Sequence, residues 1–253
     1  LGSITRACAN HGLDLLISYQ RMEDDWHTRY QDSMRADGLI LLGYGDYTTY
    51  EARLRELMRQ GTHFARWGSV SSESSGATIG SDNLGAGRLV GEHLLAEGRR
   101  RVAFIGHADG HYPEFAHRYD GLCEVLRGAG IEPDPALQRD AITTEEAGLS
   151  ATRDLIASGA QFDAIFAGSD LIAIGAMRAL AEAGLAVPGD VAVVGFDDIP
   201  SASLTSPPLT TIQQDTRGAG ERLVETLLAQ IEGEDLPPAR LPTRLIVRGS
   251  STA

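Results

Sequence analysis

Short apolar runs alternate along the whole chain with stretches whose apolar residues recur every three or four positions. The runs at 13–19 (LDLLISY), 38–44 (GLILLGY), 62–68 (THFARWG), 101–107 (RVAFIGH), 162–168 (FDAIFAG) and 191–197 (VAVVGFD) predict strands, with a weaker one at 77–82 (ATIGSD). VAVVGFD is so continuously apolar that both of its faces must be covered. Helices are predicted between the strands. Over 50–61, Leu54, Leu57 and Met58 share one face and Gly61 is placed to cap the helix. From 84 to 97 a helix carries Leu89, Val90, Leu94 and Leu95, and Gly98 ends it. Over 118–130, Leu122, Val125, Leu126 and Ala129 point inward, and Thr143 with Glu146 forms a capping box for the next helix. The stretch 169–184 is a helix stopped by Gly184. The stretch 220–233 is amphipathic through Leu223, Val224, Leu227, Leu228 and Ile231, and leads through Pro237-Pro238 to a last strand at 243–248.

Strands alternating with helices imply parallel sheets wound by right-handed crossovers. The units suffice for one barrel or two sandwiches, and the late helix and strand favour two lobes with the chain returning between them. With 253 residues, 42% of them hydrophobic, the chain can bury a core of that size. No apolar run approaches the ~20 residues that span a bilayer, and the opening LGSITRACANHG has no signal-peptide pattern. Cys8 and Cys123 lack paired spacing and read as two small buried thiols, with a disulfide or catalytic thiol as the other reading. That pattern points to a reducing cytoplasm. The net charge of −13 argues against affinity for phosphate backbones. The basic cluster Arg99-Arg100-Arg101 reads as a solvated connection.

Candidate chemistry gathers where strands end, because parallel α/β sheets bind ligands at the carboxyl ends of their strands. The apolar strand at 191–197 stops at Asp197 and Asp198, which either accept hydrogen bonds from a ligand's hydroxyls or cap the turn. Ser169 and Asp170 follow another strand and open a helix, so one of them is a helix N-cap, a ligand contact, or both. Arg66 and Trp67 end a third. The Trp67 ring suits a sugar or a base, or packs in the core. His107, His111 and His117 lie near Asp109 and Glu114 without tight metal-ligand spacing and read as loop histidines. GYGDYT lacks the third glycine of a dinucleotide loop, and no phosphate-binding P-loop or G-x-S-x-G elbow occurs. No cofactor, no metal and no enzymatic activity are expected.

VAVVGFDDIPSASLTSPPLTTIQQD closely resembles the C-terminal signature of Lac/Gal repressor family regulators. GSDNLGAGRLVGEHLLAEGRRRVAFIG, RYDG and DAIFAGSDLIAIGAMRALAEAGLAVPGDVAVVGFDD are similar to further blocks of that family, in the expected order. The resemblance covers nearly the whole chain. It implies an α/β periplasmic-binding-protein-like fold of type I, with two Rossmann-like parallel-sheet lobes joined by three crossovers near 97–101, 213–216 and 239–242. The N-terminal lobe would be 1–98 with 216–239, and the C-terminal lobe 99–215 with 240–253. The same resemblance implies effector contacts from Arg118, Asp197 and Ser169, with Trp67 stacking and Phe115 as a second apolar face. Thr216 stands where the family often has an aromatic residue. The helix-turn-helix and the first strand of the N-lobe are missing from the sequence, which is then expected to be a fragment. The implied function is the effector-binding and dimerisation region of a cytoplasmic regulator. Its implied partners are a mono- or disaccharide effector, operator DNA through a segment not in this chain, and a second copy, with no membrane. A periplasmic sugar-binding protein serving a transporter is the alternative.

Overall fold

The computed structural model describes residues 1–18, 36–43, 47–71, 74 and 77–252. The chain divides into two units, Leu1–Ser81 with Asp215–Pro242, and Asp82–Gln214 with Thr243–Ala253.

The first unit contains helix α1 (Gly2–Asn10), strand β1 (Leu39–Leu42), helix α2 (Tyr47–Arg59) and strands β2 (Phe64–Trp67) and β3 (Thr78–Ser81). Helix α7 (Thr216–Ile231) and strand β9 (Ala239–Leu241) complete it. Its sheet runs β1-β2-β3-β9 and is parallel throughout. The two-residue period of β2 divides the core. Ala65 faces Ile4, Ala7, Cys8, Leu223 and Val224 on one side, and Phe64 faces Tyr50, Leu54 and Leu57 on the other.

The second unit holds helix α3 (Asn83–Ala96), strand β4 (Val102–Ile105), helix α4 (Pro113–Gly128), strand β5 (Gln138–Arg139) and helix α5 (Glu145–Ala157). Strand β6 (Ala164–Ala167), helix α6 (Asp170–Glu182) and strands β7 (Ala192–Asp197), β8 (Thr210–Gln214) and β10 (Thr243–Ile246) follow. Its sheet order is β10-β8-β7-β6-β4-β5, with only β10 antiparallel to its neighbour. Phe104, Phe166 and Phe196 fill its centre. All of β4 and β6 is buried, as the uninterrupted apolar runs require.

Several expectations are corrected. The first passage between units lies between Ser81 and Asp82, not at 97–101, because α3 packs on α4. A Cβ on Gly87 would sit 2.1 Å from the Arg118 carbonyl, and one on Gly121 would sit 2.1 Å from the Leu84 carbonyl. Only glycines allow two helix backbones to come so close. Residues 239–241 stay with the first unit, since Ala239, Arg240 and Leu241 pair with β3. The expected strand at 13–19 does not form over its described residues. Leu16 and Ile17 are 63% and 66% exposed, with no ladder partner among the described residues. Tyr19 and Tyr44, at the ends of two expected strands, lie outside the described residues. Met58 is 53% exposed and Ala129 is exposed, so both helical stripes are narrower than the spacing predicted. Thr144, not Thr143, caps α5, accepting from the Ala147 N–H at 3.1 Å. Arg99 is not simply solvated. Its Nη2 donates to the Pro188 carbonyl at 2.6 Å.

Candidate functional site

In the second unit, the carboxyl ends of β4, β6 and β7 bring the chemistry-bearing residues together. Arg118 projects from α4 and is buried. Its Nε donates to Asn83 Oδ1 at 2.9 Å, and its Nη1 donates to the Gly168 carbonyl. The guanidinium stands over Phe196, with Cζ 3.4 Å from the ring centre, and 5.1 Å from that of Phe115. Nη2 has no hydrogen-bond partner among the described residues. Burial lowers the Arg118 pKa to about 10, while Asp197, Glu114 and Asp170 oppose that change. The group stays charged at neutral pH.

Asp197 ends β7. Its Oδ1 accepts from Gln214 Nε2 at 2.6 Å, and its Oδ2 accepts nothing among the described residues. Burial raises its pKa, and the Arg118 charge and the Gln214 hydrogen bond pull it back. Arg118 and Asp197 therefore feel each other's charge without forming an ion pair. Asp198 is held on both oxygens, by Arg248 Nη2 at 2.7 Å and Gln213 Nε2 at 2.7 Å. Among the described residues neither carboxylate accepts from a backbone N–H of the turn. Both take positive φ, 121° at Asp197 and 56° at Asp198, a conformation that side chains rarely adopt.

Ser169 is the N-cap of α6. Its buried hydroxyl accepts from the Ile172 N–H at 3.3 Å, so the capping reading holds for it. Asp170, beside it, is fully buried. Its Oδ1 accepts from the Thr211 hydroxyl at 2.5 Å and its Oδ2 from the Ile199 N–H at 2.9 Å. Burial pushes its pKa up to about 7. The Thr211 and Ile199 bonds pull it down, and Asp197 and Asp198 add to the rise.

Phe115 is buried against Gly168, where a Cβ would lie 2.8 Å from its ring. Trp67 and Thr216 belong to the first unit. Trp67 ends β2 half-buried and packs on that unit's core, while Thr216 is exposed at the start of α7. His107 stacks on Tyr112 with ring centres 4.3 Å apart, and its Nδ1 is 3.7 Å from Asp140. Among the described residues no group of three or more His, Cys, Asp or Glu is placed to hold a metal. Cys8 and Cys123 are free and buried.

The family described as a periplasmic binding protein-like domain matches residues 92–251. The ribose operon repressor of Escherichia coli strain K12 is 30% identical over 259 residues, which cover 98% of this chain and 76% of the repressor. The HTH-type transcriptional regulator CelR of Thermobifida fusca is 39% identical over 172 residues, 67% of this chain and 50% of CelR. The chain belongs to the LacI family.

The likeness extends to three dimensions. A solved transcriptional regulator CelR–cellobiose complex matches this LacI-family chain with a TM-score of 0.88 at 29% identity, over 98% of this chain and 76% of that one. Its two parallel-sheet units are the periplasmic-binding-protein-like fold. Within the R-x-x-G block of this LacI-family chain, Arg118 carries the donor and Gly121 lets α4 approach α3. Sequence reading missed Asn83, Phe196, Gln213, Gln214 and Arg248. Their partners lie far along the chain, so no local pattern marks them. Only the adjacency of Gln213 and Gln214 at the end of a β-branched strand was a signal.

Proposed function

We propose that this chain is the effector-binding and dimerisation region of a LacI-family transcription regulator, with a mono- or disaccharide as effector. Operator DNA is contacted by a helix-turn-helix elsewhere in the full protein, which acts in the cytoplasm and is not an enzyme. The relatives that match are transcription regulators, which favours this reading over a transporter's sugar-binding protein.

The observation that carries the reading is the electrostatic neighbourhood of Arg118 and Asp197. A planar donor whose Nη2 has no partner among the described residues lies within charge range of a carboxylate whose Oδ2 accepts nothing among them, at the carboxyl ends of a single sheet. A sugar hydroxyl both donates and accepts, so it satisfies both groups at once. The Phe115 and Phe196 rings add apolar surface beneath the guanidinium. CelR, whose solved complex contains cellobiose, is consistent with this chemistry. To regulate, the effector must bind one conformation better than the other.

The test is a thermal-shift and calorimetric screen with ribose, cellobiose and other mono- and disaccharides, then purines. A saccharide is expected to stabilise the protein. Asp197→Asn and Arg118→Ala should each weaken it by roughly 10- to 150-fold, the loss of one charged hydrogen-bond partner at ~1.5–3 kcal/mol. Equal binding by wild type and both variants would discard the assignment. Sedimentation should show a dimer at micromolar concentration. Because the chain carries a net charge of −13, it should not retard duplex DNA at physiological salt.

A further inference from the structure

Two consecutive non-glycine residues with positive φ persist only where the surroundings over-determine them. The turn at Asp197 and Asp198 is such a place. On its upstream side it is held by β7, where Asp197 is in register with Gln213 of β8. On its downstream side the first backbone N–H is that of Ile199, and it donates to Asp170 Oδ2 at 2.9 Å. The same carboxyl takes the Thr211 hydroxyl of β8 on its other oxygen at 2.5 Å. Gly195 makes room for it, since a Cβ there would lie 2.2 Å from Asp170 Oδ1. One buried carboxyl thus ties together the start of α6, strand β8 and the residue that follows the turn.

We propose that Asp170 is the positioning residue of the Asp197–Asp198 turn, setting where those two carboxylates stand through its bonds to Ile199 and Thr211. Both of its oxygens already accept a hydrogen bond. A proton on Oδ2 would meet the Ile199 N–H head on, and a proton on Oδ1 would force the Thr211 hydroxyl to turn and accept. In either case the Ile199 N–H loses an ionised acceptor, and with it the stronger, charge-assisted bond. The turn is therefore coupled to the ionisation of Asp170. The charged groups that act on it are Asp197 and Asp198 from the end of β7, Arg118 from α4, and Arg248 through Asp198. Glu145 and Glu146 of the adjoining α5 are exposed. If Asp197 meets the effector, as proposed above, effector affinity acquires a pH dependence from a residue that acts only through the turn.

The test is a pH titration of the isotopically labelled protein by amide NMR, with no ligand present. The Ile199 amide, and those of Asp197 and Asp198, should move together with a midpoint of about 7. Asp170→Asn should abolish that transition while the other sheet amides of the second unit keep their positions. Thr211→Val, which removes a bond that favours the ionised form, should move the midpoint to higher pH by about one unit. Persistence of the transition in Asp170→Asn, or no transition at Ile199 between pH 5 and 9 in wild type, overturns the proposal. If Asp170→Asn does not fold, Thr211→Val decides alone, and an unshifted midpoint overturns it. The effector reading stands or falls separately, on saccharide binding by Asp197→Asn.

Discussion

The Arg118 guanidinium lies on the Phe196 ring, Cζ to ring centre 3.4 Å, while its edge is shared between Asn83 and the Gly168 carbonyl. A planar cation that stands over a ring while it donates from its edge is a geometry that lysine cannot reproduce. Arg118→Lys keeps the charge but cannot serve Asn83 and Gly168 together. It is expected to lower stability by about 1–3 kcal/mol, the cost of leaving a buried acceptor unsatisfied. Urea unfolding of the two proteins measures this, and a midpoint unchanged from wild type would show that the fork is dispensable.

The closeness of α3 and α4 rests on reciprocal glycines. Gly121→Ala must push the Leu84 carbonyl away and should destabilise by about 1–3 kcal/mol. Gly128→Ala, in the last turn of the same helix with nothing within 4 Å, should be neutral or stabilising by up to about 1 kcal/mol. Thermal unfolding of the pair separates close packing from helix propensity. Equal effects would contradict the packing account.

The raised pKa of Asp170 sets a sign for stability against pH. Its folded value of about 7 lies above the ordinary carboxyl value of 3.8. Between those two values the folded protein therefore holds a proton that the unfolded chain has released. The resulting stabilisation is complete below the unfolded pKa, declines as pH rises, and is lost by the time pH has passed the folded pKa. Relative to Asp170→Asn, wild type should lose roughly 2.5 kcal/mol of stability between pH 5 and pH 8. Denaturant titrations of both proteins at the two pH values test this. A difference that stays constant, or grows in favour of wild type, would refute it.

Asp197 joins a backbone cost to a candidate ligand contact. Asp197→Gly and Asp197→Asn both remove the carboxylate, but only glycine relaxes the φ of 121°. Asp197→Gly should be more stable than Asp197→Asn by about 1 kcal/mol, and a saccharide that stabilises wild type should stabilise each of them much less at the same concentration. Equal stability of the two variants would mean the conformation carries little strain.

The alternation of apolar runs with three-to-four-residue periods was enough to specify the α/β class and the placement of most strands and helices. It does so because burying one face of a helix or both faces of a strand leaves a local imprint. The family blocks pointed to Arg118 and Asp197 as candidates, and the strand-end rule placed Asp197 and Ser169 at the carboxyl ends of strands, where β7 and β6 do end. Tertiary structure alone decided the rest. The run at 13–19 is apolar enough for a strand, yet a strand needs a neighbouring strand to pair with, and residues 13–18 join no ladder among the described residues. Helix α3 fell to the second unit because two glycines let it dock on α4, a contact that no local period encodes. Asn83, Gln214 and Arg248 entered the candidate site through partners 35, 17 and 50 residues away along the chain. Asp170 reads from sequence as a helix-cap candidate. Its contacts emerged only once folding had removed it from water and placed the Ile199 N–H and the Thr211 hydroxyl against its two oxygens.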